Sequence, residues 1–391
     1  MAYYSIFPEK DTTLYSHPDR IHMNAGRDEI LELVEEKSTT GNIYYTSRIL
    51  IKFDNQEIKD VIENKLSKII DPNHTKVSLN LYAGENKSLT QGHIIEAYPL
   101  SESMGWEEGT QRYNAIPPST TTGSNQAANG ATWVYRNENT SSAWPVTGFI
   151  PGINTGSYTT SPGGGVWYTG ANFRAEHSFY ADDDLDLDLD VTSIVQKFSA
   201  SYYQSAAYPT GIINNGFIIK KPTVTEQDGF GFGELQYFSS NTHTIYPPKL
   251  TFKWDDSSYT NYGSSVTLNS GDIFLSLHNN KAKFQRKSKQ RFRLTTRKRY
   301  PDRTFTTSSN YLETSYLPET SYYSVRDAET DEVIIPFDTS YTKLSANSEG
   351  MYFDLWMEGF QPERYYKIMF RIDNNDGINI HDEDYFFKVV R

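Results

Sequence analysis

The chain has 391 residues, of which 37 % are hydrophobic, 22 % charged and 14 % aromatic, and its formal net charge is -12. It contains no cysteine, which excludes disulfide frameworks, thiolate zinc sites, iron-sulfur clusters and cysteine nucleophiles, and the acidic balance argues against general affinity for nucleic acid. The length exceeds what one core usually holds, so at least two domains are expected; 29 Tyr and 21 Phe suit the pleated, half-buried surfaces of an all-β protein.

The opening MAYYSIFPEKD has neither a basic n-region nor an apolar h-region, and no window approaches the ~18 uninterrupted apolar residues of a membrane span. A soluble chain made in a cytoplasm, with no membrane partner, is the expectation.

Short strands are predicted at Asp11 to Ser16, Glu29 to Val34 and Tyr45 to Asp54. A single helix is predicted over Ile58 to Ile69, from the helical spacing of Ile58, Val61, Ile62, Leu66 and Ile69. Strands follow at Lys76 to Tyr82 and Ile94 to Leu100. Gly109 to Arg174 is rich in Gly, Ser, Thr, Asn and Pro yet carries Trp133, Trp144 and Trp167, which marks ordered loops pinned by rings rather than a disordered linker.

Leu185 to Val191 reads Leu-Asp-Leu-Asp-Leu-Asp-Val, and only a strand has that period: its leucines and Val191 face one way, Asp186, Asp188 and Asp190 the other. Further strands are predicted at Gly216 to Lys220, Leu235 to Ser239 and Lys249 to Trp254. The turn-rich run Asp255 to Ser265 divides a domain of residues 1–255 from one of residues 256–391. In the second, seven strands are predicted, at Ile273 to Leu277, Gln290 to Thr296, Tyr322 to Asp327, Val333 to Phe337, Met351 to Met357, Tyr365 to Ile372 and Tyr385 to Val390. Their number and turn-rich spacing suggest an immunoglobulin-like β-sandwich.

Seven segments of the first domain, in order, resemble the DNRLRE-type domain of tailed-phage structural proteins. They are DTTLYS at Asp11, SRILIKFD at Ser47, SLNLY at Ser78, GATWVYRNENTSSAW at Gly130, LDVTSIVQKF at Leu189, NNGFIIK at Asn214 and LQYFSSNTHTIYPPKLTFKWDD at Leu235. The second domain looks like a tail found on such proteins in large marine and T4-like phages, through KRYPDRTFTTSSNY at Lys298, SYYSVRDAETDEVIIPFDTSYTKLS at Ser321 and QPERYYKIMFRI at Gln361. The resemblance implies a carbohydrate-binding-module-like, jelly-roll β-sandwich ahead of the second sandwich. It also implies a non-enzymatic virion component, present in several copies, whose partners are other virion proteins. A glycan-binding attachment module with a host surface glycan as partner is the alternative, and a polysaccharide-cleaving enzyme a third option.

The remaining motifs each have a plain reading beside a functional one. Asp182, Asp184 and Asp186 could contribute to a calcium site, but one strand cannot close a shell of six to eight oxygens, so a solvated acidic face is the plainer reading. The run Asp373 to Asp384 superficially matches a calcium loop, yet alignment on Gly377 puts Ile372 at the first ligand position, so a polar hairpin turn is expected.

Lys281 to Arg303 carries eleven Lys and Arg against Asp302 alone. Within it Arg291, Arg293 and Arg297 form a basic strand face, for which plain solvation is the plainer reading and an acidic protein partner the functional one. This face and the acidic face of Asp186, Asp188 and Asp190 are expected to be complementary surfaces that help seat the protein on neighbours, and nucleic acid is disfavoured because Phe292 points away. Glu107 and Glu108 after Trp106 could serve as an acid/base pair, although neighbours on a strand point oppositely. Trp133, Trp144 and Trp167 could stack on sugars, with core anchoring as the plainer role. Gly163 to Gly165 and the GFGFG run at Gly229 are read as loops and bulges. The eight histidines have no i, i+4 pairing, and no signature demands a cofactor or metal.

Overall fold

A computed structural model describes residues 2–37, 44–66, 70–85, 92–101, 104–113, 129–144, 153–155, 163–180, 183–201, 211–228, 233–261, 266–268, 272–300, 314–374 and 377–391. Asp182, most of the glycine-aromatic run at Gly229 and most of the segment from Lys298 to Tyr311 lie outside them. The protein is all-β, 49 % strand and 10 % helix in several sheets, which places it with the β-sandwich class. It divides into two compact units, residues 6–251 and residues 1–5 with 252–391, so the first residues of the chain go with the C-terminal unit.

In the N-terminal unit a large antiparallel sheet runs in the order Ala175–Phe179, His93–Pro99, Phe217–Lys220, Tyr44–Phe53, Ile30–Lys37, Gly233–Phe238, with Pro8–Tyr15 also pairing Tyr44–Phe53. A second sheet contains Thr75–Leu81 and Leu187–Asp190, in register so that Leu187 opposes Leu81 and Leu189 opposes Leu79. All four leucines are buried, and the predicted alternation is observed over Leu187–Asp190; Leu185 and Asp186, expected on opposite faces of the same strand, precede it and are both half-buried.

The helix Asn55–Asn64 starts where Asp54 accepts the Gln56 N–H at 3.1 Å, and it buries Ile58, Val61 and Ile62. Leu66 is also buried, but the α-helix ends before it. A second helix, Thr192–Ala200, was not anticipated. It buries Ile194, Val195 and Phe198, and the ring of Phe198 meets Phe217 edge-on, which in turn meets Phe53.

A buried ionic cluster ties the aromatic loops to the large sheet. Arg48 points inward from its strand with no exposed surface and grips Glu226 through two bonds, Nε to Oε1 at 3.0 Å and a terminal nitrogen to Oε2 at 2.7 Å. Its other terminal nitrogen donates to the Gly164 carbonyl at 2.7 Å, and its guanidinium lies 4.7 Å from the Trp133 ring and 5.2 Å from Trp167. Lys220 adds a second cation 3.3 Å from Glu226. Burial pushes the Glu226 carboxyl up, but Arg48 and Lys220 outweigh it and hold it below its ordinary value; burial lowers Lys220.

Gly164 sits at φ +78°, and a Cβ there would lie 2.6 Å from both the Arg48 guanidinium and the Trp133 ring. The glycine run is therefore a close backbone approach onto a cation.

The C-terminal unit packs two sheets through an aromatic core. One has the order Val266–Thr267, Ser315–Tyr316, Lys289–Lys298, Gly350–Trp356, Ser345–Asn347, with Ile273–His278 pairing Lys289–Lys298; the other has the order Lys283–Gln285, Gly377–Val390, Tyr365–Asn374, Ser321–Asp327, Val333–Ile335. Phe353 of the first stacks between its sheet neighbour Phe292 at 5.2 Å and Tyr323 of the second sheet at 4.6 Å. The run Asp373 to Asp384 belongs to a hairpin in which Asn374 faces Gly377; residues 377–384, expected as turn, extend the last strand, Gly377–Val390, and residues 375–376 lie outside the described residues.

The ionic cluster yields a stability prediction. Arg48→Met leaves Glu226 buried with Lys220 as its remaining ion-pair partner and should cost about 3–5 kcal/mol. Urea unfolding followed by tryptophan fluorescence measures this, and a loss below about 1 kcal/mol would show that the cluster does not organise the unit.

Candidate functional site

Asp188 and Asp190 stand on a strand with a dry back, as expected, whereas Asp186 precedes that strand and is half-buried; all three carboxylates are engaged locally. Asp186 accepts the Ala83 N–H at 2.7 Å, Asp188 accepts from the Asn80 amide at 3.1 Å, and Asp190 accepts from both the N–H and the hydroxyl of Thr192, at 3.1 and 2.6 Å. The last pair satisfies donors at the start of the Thr192–Ala200 helix. Burial raises the pKa of Asp186 against the pull of the Ala83 N–H.

Asp184 accepts the Asp186 N–H at 3.1 Å. Among the described residues no group of three or more acidic or histidine side chains is arranged to hold a metal. Asp184 and Asp186 thus gain no third carboxylate or imidazole there, and Asp182 lies outside the described residues.

The basic row is present and largely compensated. Arg291 clasps Asp354 with two bonds of 2.8 and 2.9 Å, and Lys289 reaches the same carboxylate at 3.0 Å. Arg293 contacts Asn347 at 3.2 Å and pairs with Glu349. Burial raises the Asp354 carboxyl, but hydrogen bonds from Arg291 and Lys289 more than reverse this and hold it below the usual carboxylate range. Arg297 donates to the carbonyls of Lys298 and Arg299 and lies over Phe274. Asp354 comes from the strand Gly350–Trp356 and Glu349 from the turn just before it, so nothing near the row in sequence announces them.

The tryptophans require a correction. Trp133 and Trp144 have no exposed surface and Trp167 is 1 % exposed; all three sit in one cluster with Leu14, Leu50, Leu100, Trp106, Ala131 and Ile218. Trp144 donates its indole N–H to the Thr132 carbonyl at 2.9 Å. A ring with no free face cannot stack on a sugar, and the plainer anchoring role holds.

The site that sequence reasoning underrated is an open polar cleft of about 510 Å³ lined by Glu9, Lys10, Glu107, Glu108, Thr110, Asn129, Asn137 and Asn139 with Gly109 and Gly130. Residues 104–109 form no strand, so the strand rule does not separate Glu107 from Glu108 and both line the same space. Asn24 donates to the carbonyls of Glu108 and Ala131, at 2.7 and 2.9 Å, and so fixes two segments of the wall. The Lys10 ammonium donates to the Trp106 carbonyl and stands 4.6 Å from that ring. Burial lowers its pKa, assisted by Lys52. Burial raises Glu108, whose Oε1 accepts the Asp11 N–H at 3.3 Å.

Asp11 itself is buried. Its Oδ2 accepts the Ser240 N–H at 2.7 Å, while Oδ1 has no hydrogen-bond partner in the structure. Burial moves its pKa from 3.8 to about 7, with the Glu108 charge adding to the rise. Chemically, the cleft offers carboxylates and amides able to hydrogen-bond a polar ligand, and Asp11 is tied to it through the bond of its backbone N–H to Glu108.

No protein-family model matches the chain, and no curated protein matches it in sequence.

The Asp11 environment predicts a pH dependence. Between about pH 4 and pH 7 the folded state keeps a proton that the unfolded state has released, so stability falls as pH rises through this window. Asp11→Asn should flatten that slope and raise stability at pH 8 relative to the parent, by up to about 4 kcal/mol if the whole shift is expressed. Thermal melts from pH 4 to pH 8 check it, and parallel curves for the two proteins refute it.

Proposed function

We propose that the protein is a non-enzymatic structural component of a tailed-phage particle, placed in head decoration, neck, tail or baseplate, and that it acts by forming interfaces with other virion proteins. The observation that carries this reading is the fixing of surface charge in rows on strands with apolar backs: Asp188 and Asp190 on one strand, with Asp186 just ahead of it, and Lys289, Arg291, Arg293 and Arg297 on another. Charges held by a sheet are suited to register-specific docking, because little side-chain or backbone freedom remains to be lost. The ordered sequence resemblance supports the same reading and supplies the phage context. The buried tryptophans support it too, since loops pinned by rings present fixed surfaces.

A second reading, a glycan-binding attachment module, is favoured by the polar cleft, where Glu107, Glu108, Asn129, Asn137 and Asn139 could meet sugar hydroxyls.

Under the structural reading, mass spectrometry of density-purified particles should find the chain in more than one copy, and a particle map should place it against at least two other kinds of subunit. Detection only in infected-cell lysate would sink it. The purified chain should also release no reducing sugar from capsule or cell-wall polysaccharide. Turnover that disappears on Glu107→Gln or Glu108→Gln would replace a structural role with an enzymatic one.

A further inference from the structure

The outer face of the larger C-terminal sheet is organised in a way its central strand does not reveal. Lys289, Arg291, Arg293 and Arg297 project from the Lys289–Lys298 strand, and the neighbouring strands set rings in register with them: Trp356 opposite Lys289, Tyr352 opposite Arg293 and Phe274 opposite Arg297. Lys289 lies 5.0 Å from the Trp356 ring, Arg291 4.3 Å from Tyr352 and Arg297 4.4 Å from Phe274. A cation resting on a ring has less rotamer freedom to lose when it binds, so the row is preformed.

The same contacts bear on the class of partner. Ring faces occupied by the protein's own cations are not open for bases to stack on, which disfavours single-stranded nucleic acid. What faces outward is a line of N–H donors with the two-residue repeat of a strand, roughly 6.5 to 7 Å. Carboxylates are what these donors already take, in Asp354 and Glu349. Four cations face those two carboxylates, and among the described residues Arg297 has no carboxylate partner, so the row retains capacity for more.

The chain carries a matching object. Asp188 and Asp190 repeat at the same two-residue interval on the strand Leu187–Asp190, whose Leu187 and Leu189 form a buried back, and Asp184 and Asp186 add charge from the irregular segment just before it; Asp184, Asp188 and Asp190 are exposed. We infer that the basic row of one copy docks on the acidic row of a second copy of this chain. The contact joins two different surfaces of identical molecules, so each copy carries both halves of it. This rests on the reading of the chain as an assembling component and names one of its partners.

Sedimentation velocity on the full chain, at about 50 mM and about 500 mM NaCl, tests the inference. Reversible, concentration-dependent species larger than a monomer are expected at low salt and should dissociate at high salt. Arg291→Glu with Arg293→Glu, and separately Asp188→Lys, should each weaken association by about tenfold or more, while a mixture of the two variants should recover it, because each then carries the surface the other lacks. Circular dichroism melts establish that both variants fold. A chain monomeric at low salt, association that survives high salt or charge reversal, a mixture that stays apart, or arginine-dependent binding of single-stranded DNA overturns the docking. If self-association fails while the chain is still found in purified particles, only this inference falls; if it self-associates but is absent from particles, the structural reading falls instead.

Discussion

The N-terminal unit is organised around one buried ionic contact, the Arg48–Glu226 pair with Lys220 beside it. A cation without exposed surface is tolerable only if its donors are met and a counter-charge is near. Here Glu226 supplies the charge, Gly164 supplies a carbonyl, and Trp133 and Trp167 supply polarizable faces. These partners come from three regions of the chain that are far apart in sequence, so satisfying Arg48 also fixes the glycine run and the tryptophans against the sheet. Replacing such a cluster with apolar residues can be neutral for stability in other proteins, so its value here is better placed in geometry, since it dictates where the loops must lie.

The surface charges follow a different logic. Exposed ion pairs contribute about 0 to 1 kcal/mol each, and the basic face, with its acids supplied by a neighbouring strand and the turn before it, is stabilised only modestly by them. What the sheet adds is position: every second residue faces outward, and rings beneath the cations hold them flat. The acidic row shows a complementary economy, because Asp190 both carries charge outward and satisfies the first donors of the following helix.

The polar cleft sits where irregular backbone overrides the rule that adjacent side chains diverge. Gly109 and Gly130 lie at φ +85° and +86°, and a Cβ on Gly130 would come within 2.4 Å of Gly109, so the two segments cross at a distance only glycine allows. That crossing helps bring Glu107 and Glu108 to one space, where burial raises Glu108.

By itself the sequence determined the all-β class, the main strands and which faces of them are dry, because a period of two is a property of each strand alone: Leu187 and Leu189 are buried and Asp188 and Asp190 exposed, as their alternation required. The helix Thr192–Ala200 was legible in principle from Ile194, Val195 and Phe198 at helical spacing, but the strict Leu-Asp alternation running into it hid the change of period. Only the tertiary structure decided that Arg48 is buried, that Asp354 and Glu349 answer the basic row, that Tyr352, Trp356 and Phe274 lie beside it, and that the loop tryptophans face inward. Each of these depends on which distant strand or loop lies alongside, and pairing between segments tens to hundreds of residues apart is set by the packing of the whole unit, which no local pattern encodes.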